Sequence, residues 1–124
     1  MTGNDCLRQA MSLLNYTDTR VDGGVPGGAG VYRHALAYVN QITADLWYIE
    51  HDTPFAPLTG LGESLPLSDA AAQTVLPYGV AMLLAQAAGD ADNQTLYAGM
   101  YDQRRSAARR SDGHILDCLP GVRG

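Results

Sequence analysis

The spacing of apolar residues along the chain predicts a mainly helical protein. After Asn4 or Asp5, either of which can cap a helix, apolar residues recur at i, i+3, i+4 and i+7, which predicts a first helix ending near Tyr16. A second, longer helix is predicted over residues 31–50, where the same periodicity returns. The two apolar stripes consist of Leu7, Ala10, Met11 and Leu14, and of Ala35, Val39, Ile42, Leu46 and Ile49.

Two further helices are predicted in the C-terminal half, and we expect them to form an antiparallel hairpin. Ser68 is a good N-cap for the third helix, and Pro77 should bend that helix because proline lacks a backbone N–H donor. Asp90 or Asp92 starts the fourth helix, which is predicted to end at Arg110. The inward positions predicted for the fourth helix are Leu96, Tyr97, Met100 and Tyr101.

The segments between the helices are rich in glycine and proline. Residues 17–30 contain five glycines and a proline, which predicts a long loop. Residues 51–67 mix proline and glycine with apolar residues, which predicts a turn-rich crossover packed on the helices, with room for a short strand or hairpin. The predicted fold is therefore mainly α, a four-helix bundle-like domain over residues 1–110, followed by a C-terminal tail over residues 111–124.

Composition narrows the classes of function. The 124 residues carry a formal net charge of −5, and all eight basic residues are arginine. This acidic excess argues against a protein whose main role is to grip nucleic acid, since such proteins neutralise phosphates with basic residues. No secretory leader is recognised, and the most apolar stretch, residues 78–88, is too short to span a bilayer. We therefore expect folding in a cytoplasm, no membrane anchor, and free thiols at Cys6 and Cys118.

The candidate catalytic and ligand-binding motifs do not meet the requirements of their chemistry. The glycines of residues 23–30 lack the Lys-Ser/Thr pair of a phosphate-binding loop and follow no predicted strand. The nearest approach to a metal-ligand spacing is His114 with Asp117 and Cys118, in a tail with no second ligand cluster. The sequence therefore predicts no enzymatic activity, no cofactor and no bound metal.

Three groups of residues are candidates for contacts with other subunits or proteins. The arginines near the end of the fourth helix are the only basic cluster, and helix-end or subunit contacts are favoured over nucleic acid. The adjacent aromatic pair in the second helix must diverge, so one of them can face outward; an interface and a tyrosine-rich core margin are equally open. A small apolar cluster lies in the tail. The candidates are Trp47, Tyr48, Arg104, Arg105, Arg109, Arg110, Ile115, Leu116 and Leu119.

The segment from Leu65 to Arg109 has an order of motifs beyond simple periodicity. It consists of Leu65-Pro66-Leu67 before Ser68, then Leu76-Pro77-Tyr78-Gly79-Val80-Ala81-Met82-Leu83-Leu84-Ala85, then Gly89-Asp90, then Tyr97 to Tyr101 with the arginines behind. This segment resembles the helical hairpin of the small head-to-tail adaptor proteins of tailed bacteriophages, also called connector or head completion proteins. The first helix, the glycine loop and the second helix fit the same layout, so the resemblance covers most of the chain.

The resemblance implies a virion structural protein in the viral neck, made in the cytoplasm of a bacterial host. Its implied partners are copies of itself in a ring of about twelve, the portal protein above, and a downstream neck or tail protein. Genomic DNA would pass through the channel without sequence-specific binding. In several such proteins a C-terminal arm reaches onto the portal, and residues 111–124 would be its counterpart. The alternative prediction is a small helical protein-binding or regulatory module of a cytoplasmic protein.

Overall fold

The computed structural model describes residues 1–15 and 34–118, with side chains described as far as residue 109. The predicted mainly helical, bundle-like fold is confirmed. Within these ranges no strand forms, and the crossover contributes only an isolated antiparallel bridge between Ser64 and Thr2. The predicted glycine loop lies outside the described residues. The helices are α1 (Gly3–Leu14), α2 (Ala35–Glu50), α3 (Asp69–Thr74), α4 (Leu76–Ala87) and α5 (Ala91–Cys118).

Helix α1 begins earlier than predicted because Thr2, and neither Asn4 nor Asp5, is its N-cap. The Thr2 hydroxyl accepts a hydrogen bond from the Asp5 N–H at 3.2 Å, and the Asp5 carboxylate accepts one from the Thr2 N–H at 3.0 Å. This capping box satisfies two backbone donors at once. The helix ends at Leu14 with Asn15 in the left-handed conformation, at a φ of 61°.

The predicted third helix is two helices, α3 and α4, separated at Val75. Proline inside a helix loses a hydrogen bond and crowds the carbonyl four residues earlier. A new helix that starts at Leu76 removes this conflict, because Pro77 then lies in the first turn, where backbone N–H groups have no intrahelical acceptor. The predicted bend is therefore a complete break.

Helices α4 and α5 form the predicted antiparallel hairpin. The turn between them contains Gly89 at a φ of +73°, a conformation that glycine adopts without strain. The start of α4 meets the middle of α5, and the two helices meet again at the Gly89 turn: Gly79 lies against Tyr101, and Arg104 donates a hydrogen bond to the carbonyl of Thr74 just before α4. The chain direction is therefore reversed between the two helices.

The predicted end of the fourth helix at Arg110 is wrong, since α5 continues to Cys118. A glycine inside a helix costs only about 1 kcal/mol relative to alanine, so Gly113 does not end the helix. The division predicted between residues 1–110 and the tail 111–124 falls inside this helix. Of the apolar cluster in the tail, Ile115 and Leu116 are helical, and Leu119 lies outside the described residues.

The core forms where the apolar stripes of α1, α2 and α4 meet. In α5 the inward positions are taken by Tyr97 and Tyr101, which are 8% exposed, whereas Leu96 is 52% exposed and was wrongly predicted to be buried. Adjacent helical residues point about 100° apart, so Tyr97 excludes Leu96 from the core. The Tyr97 hydroxyl donates to the Leu13 carbonyl at 2.7 Å. The stripe residues confirmed as buried are Leu7, Ala10, Met11, Leu14, Ala35, Val39, Ile42 and Leu46.

Replacing Thr43 with valine should stabilise the protein by about 1 kcal/mol. Thr43 is completely buried, and its hydroxyl has no hydrogen-bond partner among the described residues. Valine has nearly the same shape without the unpaired polar group. Urea unfolding would measure the change, and Thr43→Ser is the matched control, because it keeps the hydroxyl, loses a methyl group and should destabilise. A loss of stability in Thr43→Val would mean that the hydroxyl is hydrogen-bonded.

Candidate functional site

The arginines of α5 have different environments, and Arg105 is bound to α2. Its Nε lies 2.5 Å from Oδ2 of Asp45 and its Nη2 lies 3.0 Å from Oδ1, a bidentate ion pair. Tyr101, one turn earlier on α5, donates its hydroxyl hydrogen bond to Oδ2 at 2.5 Å. Burial favours a higher pKa for Asp45, but the hydrogen bonds from Arg105 and Tyr101 outweigh it and lower the pKa below its usual value. Arg105 therefore joins α5 to α2 within its own subunit.

Arg104 is also held within the subunit, but by other helices. Its guanidinium carbon lies 4.1 Å from the centre of the Tyr78 ring, in a cation–π contact, and its Nη1 donates to the Thr74 carbonyl at 3.2 Å. Arg109 is exposed, and the side chain of Arg110 lies outside the described part of the chain. Because α5 ends at Cys118, Arg104 and Arg105 lie too far from its end to complement the helix dipole, so the predicted helix-end role is wrong for both.

Trp47 and Tyr48 both contact the beginning of the crossover. The Trp47 ring stacks on His51 at a centroid distance of 3.7 Å, and its Nε1 donates to the Thr53 carbonyl at 2.7 Å. Tyr48 is the member of the pair that faces outward, with 57% exposure, and its hydroxyl accepts a hydrogen bond from the Phe55 N–H at 3.0 Å. The sequence did not reveal these contacts, which hold the crossover against the end of α2.

The described residues form open grooves on the surface, of which two bear on function. One, of about 750 Å³, lies between α1 and the start of α4, and its walls combine polar side chains such as Asp5 and Arg8 with apolar ones such as Leu13 and Pro77. The other, of about 370 Å³, lies among α2, α3 and α5 and is called here the α2–α3–α5 groove. Its mostly apolar walls include Leu46, Ala71, Val75, Ala107 and Ala108, with Arg104 beside them. Small side chains from α3 and α5 leave the space open.

The groups available for catalysis or metal binding do not converge. In residues 1–15 and 34–109, no three His, Cys, Asp or Glu side chains are placed to share a metal ion. His34 and His51 flank opposite ends of α2. The Cys6 thiol is completely buried, which raises its pKa to about 12, so it is a poor nucleophile at neutral pH. The absence of enzymatic activity stays a prediction.

None of the helices in the described ranges is both long enough and apolar enough to cross a membrane. Comparison of the chain with protein-family models, curated proteins and solved structures finds no match. What supports a function is therefore the geometry of the chain itself, together with the resemblance of its hairpin sequence.

Proposed function

We propose that this protein is a virion structural protein of a tailed bacteriophage, a head-to-tail adaptor that forms a ring, of about twelve copies, beneath the portal. The ring extends the DNA channel and joins the head to the tail components. The observation that carries the proposal is the hairpin: the segment from Leu65 to Arg109, which resembles the adaptor hairpin in sequence, folds as an antiparallel helical pair on a compact helical body. The protein is made in the host cytoplasm and resides in the viral neck.

The contacts within the hairpin suit a rigid subunit body. Gly79 brings α4 and α5 so close that a Cβ atom there would lie 2.8 Å from the Tyr101 ring. Arg104 and Arg105 then connect α5 to α3, α4 and α2 through Tyr78, Thr74 and Asp45. A ring subunit must hold its two lateral surfaces at a fixed distance and angle. Helices joined by these side-chain contacts meet that requirement.

The length of α5 suits an arm that reaches a partner. Helix α5 has 28 residues and α4 has 12, which correspond to about 42 Å and about 18 Å of helix. More than half of α5 therefore extends beyond what α4 can pair with. Residues 111–118 belong to this excess length, which supports residues 111–124 as the contact with the portal protein.

The charges suit a channel through which DNA slides without sequence-specific binding. The net charge is −5, and Arg105 is already neutralised by Asp45, so it offers little attraction to phosphate.

The remaining partner is the downstream neck or tail protein on the opposite face of the ring.

Deleting residues 111–124 should weaken attachment to the portal at least tenfold and leave the fold intact. The buried cluster is built mainly from α1, α2 and α4 together with Tyr97 and Tyr101 of α5, and all of these residues remain in the shortened chain. Co-sedimentation with the purified portal ring encoded in the same genome measures attachment, and circular dichroism with urea unfolding checks the fold. Truncation after Cys118 is the matched control, because it keeps α5 whole. It therefore distinguishes the contribution of the helix to attachment from that of the last six residues.

Two results would count against this account in different ways. Unchanged attachment of the deletion variant would remove the tail from the portal contact. Failure of the full-length chain to bind the portal ring would contradict the adaptor function itself and favour a small helical protein-binding or regulatory module.

A further inference from the structure

We propose that copies of this chain bind one another head to tail, with Leu96 of one copy inserted into the α2–α3–α5 groove of the next. The inference rests on the proposed function and deepens it, since it names the contact between neighbouring subunits of the ring.

Leu96 is an apolar side chain that the described residues leave 52% exposed. Among the described residues, Leu96 and Tyr48 are the large hydrophobic side chains that are more than half exposed, and the Tyr48 hydroxyl is already engaged by Phe55. Rotation of α5 cannot bury Leu96, because the hydrogen bond from Tyr97 to the Leu13 carbonyl and the ion pair of Arg105 hold the helix in place. Because no described helix can move to cover Leu96, the proposal assigns its cover to another molecule.

A negative charge accompanies Leu96 on the same face of α5. Asp92 precedes it by four residues, which places both side chains on one side of the helix, and Asp92 is exposed. The projecting surface is thus an apolar side chain with a carboxylate one turn away.

The α2–α3–α5 groove offers the complementary surface. Buried Leu46, Ala71 and Val75 supply apolar walls, and the methyl groups of Ala107 and Ala108 leave room for a larger side chain. The groove carries charge of both signs: Glu50 lies at the α2 side, where its carboxylate accepts hydrogen bonds from the N–H and hydroxyl of Ser68, and Arg104 lies in the α5 wall. Exposed Arg109, which follows Ala108 in the sequence, adds positive charge on the α5 side. The Arg104 guanidinium has five N–H donors, and the hydrogen bond to Thr74 uses one of them, so it can still bind a carboxylate.

The placement of the two surfaces favours a second copy as the occupant. Leu96 precedes Arg104 by eight residues, about 12 Å along α5, so it cannot enter the groove of its own subunit. Of the two ways in which a neighbour's α5 can lie across the groove with Leu96 inserted, one brings Asp92 to Arg104 and Arg109 and the other brings it to the Glu50 carboxylate, which would repel it. The charges therefore favour the first orientation. Because the two surfaces are different, each copy binds one neighbour on either side, and such a heterologous contact produces a ring when the rotation closes.

Disulfide cross-linking of the full chain tests this contact directly. In a Cys118→Ser background, a chain carrying both Leu96→Cys and Ala107→Cys should give a ladder of dimers, trimers and larger species on mild oxidation at high protein concentration. Cys6 can remain, because it is completely buried. Chains with only one of the two cysteines should not cross-link alone, and mixing them should give dimers and nothing larger.

Matched variants identify the contact. A chain with Tyr48→Cys and Ala107→Cys should give no ladder. In this control the first cysteine stands at Tyr48, the other exposed large side chain, and Leu96 is kept. Asp92→Arg in the double-cysteine chain should lower the cross-linked fraction about tenfold, and Arg109→Asp in the same chain should restore it.

Three results would overturn the inference: no ladder, self-cross-linking of either single-cysteine chain, or an equal ladder from the Tyr48→Cys control. The experiment needs no portal. It can therefore fail while the portal still binds the chain, or succeed while the portal does not, and the two proposals are tested separately.

Discussion

Replacing Gly79 with alanine should destabilise the protein by about 1–3 kcal/mol, although glycine-to-alanine changes usually stabilise helices. The Cβ atom would lie 2.6 Å from Cγ2 of Ile42 and 2.8 Å from Cε1 of Tyr101. Both neighbours are buried, so neither can move away without disturbing the packing of α2 and α5 against α4. Overpacking outweighs the gain in helix propensity, which is about 1 kcal/mol.

Gly99 provides the matched control on α5. It is exposed, and a Cβ atom there would meet nothing within 4 Å. Gly99→Ala should therefore stabilise the protein by about 0.5–1 kcal/mol, because only the backbone entropy of the unfolded chain changes. Urea unfolding of both variants gives the free energies of unfolding. Shifts of the same sign would contradict the close approach of α4 and α5.

Replacing Asp45 with asparagine should lower the free energy of unfolding at neutral pH by about 1–2 kcal/mol, with allowance for the partial exposure of the ion pair. The change removes the charge that Arg105 and Tyr101 share. Burial raises the pKa of the Tyr101 hydroxyl and Asp45 raises it further, so Tyr101 remains a donor throughout the neutral range. In the variant, the Tyr101 hydroxyl and the Arg105 guanidinium are left with a neutral amide oxygen, which is a weaker acceptor than a carboxylate.

The same ion pair predicts how stability depends on pH. The pKa of Asp45 lies below its usual value of 3.8 in the folded protein. Its contribution is therefore complete above about pH 4 and is lost as the pH falls through the lower, folded pKa. The difference between the wild-type chain and Asp45→Asn should shrink over that acidic range. Asp102→Asn, which replaces an exposed acid on α5, is the control and should change stability by less than about 0.5 kcal/mol. A constant difference across the acidic range would contradict the lowered pKa of Asp45.

The fold was predictable from the sequence where periodicity was strong. The stripes of α1 and α2 and the hairpin of α4 and α5 followed from the spacing of apolar residues and from the glycine at position 89. The errors in the bounds of the helices lie where local effects of similar size compete. A threonine at position 2 formed a capping box, Pro77 caused a break where a bend was predicted, and Gly113 did not end α5.

The candidate contacts were only partly predictable, because their partners lie far away in the sequence. The arginine cluster looked uniform, but Arg104 and Arg105 point about 100° apart on the helix and meet different elements. The partner of Arg105, Asp45, is 60 residues away, and no local pattern indicates it. The α2–α3–α5 groove depends on small side chains of α3 and α5 that face larger ones of α2, and it has no sequence signature. The exposure of Leu96 was missed because both it and Tyr97 suit a core position.

A cryo-EM reconstruction of the portal ring incubated with the full-length chain tests the adaptor function most directly. The account predicts a second ring beneath the portal, with one helical bundle per subunit, an open central channel, and α5 extending toward the portal. Neighbouring bundles should meet through Leu96 and the α2–α3–α5 groove. A portal with no added ring, at concentrations of the chain that saturate binding, would contradict the proposal that this protein joins a phage head to its tail.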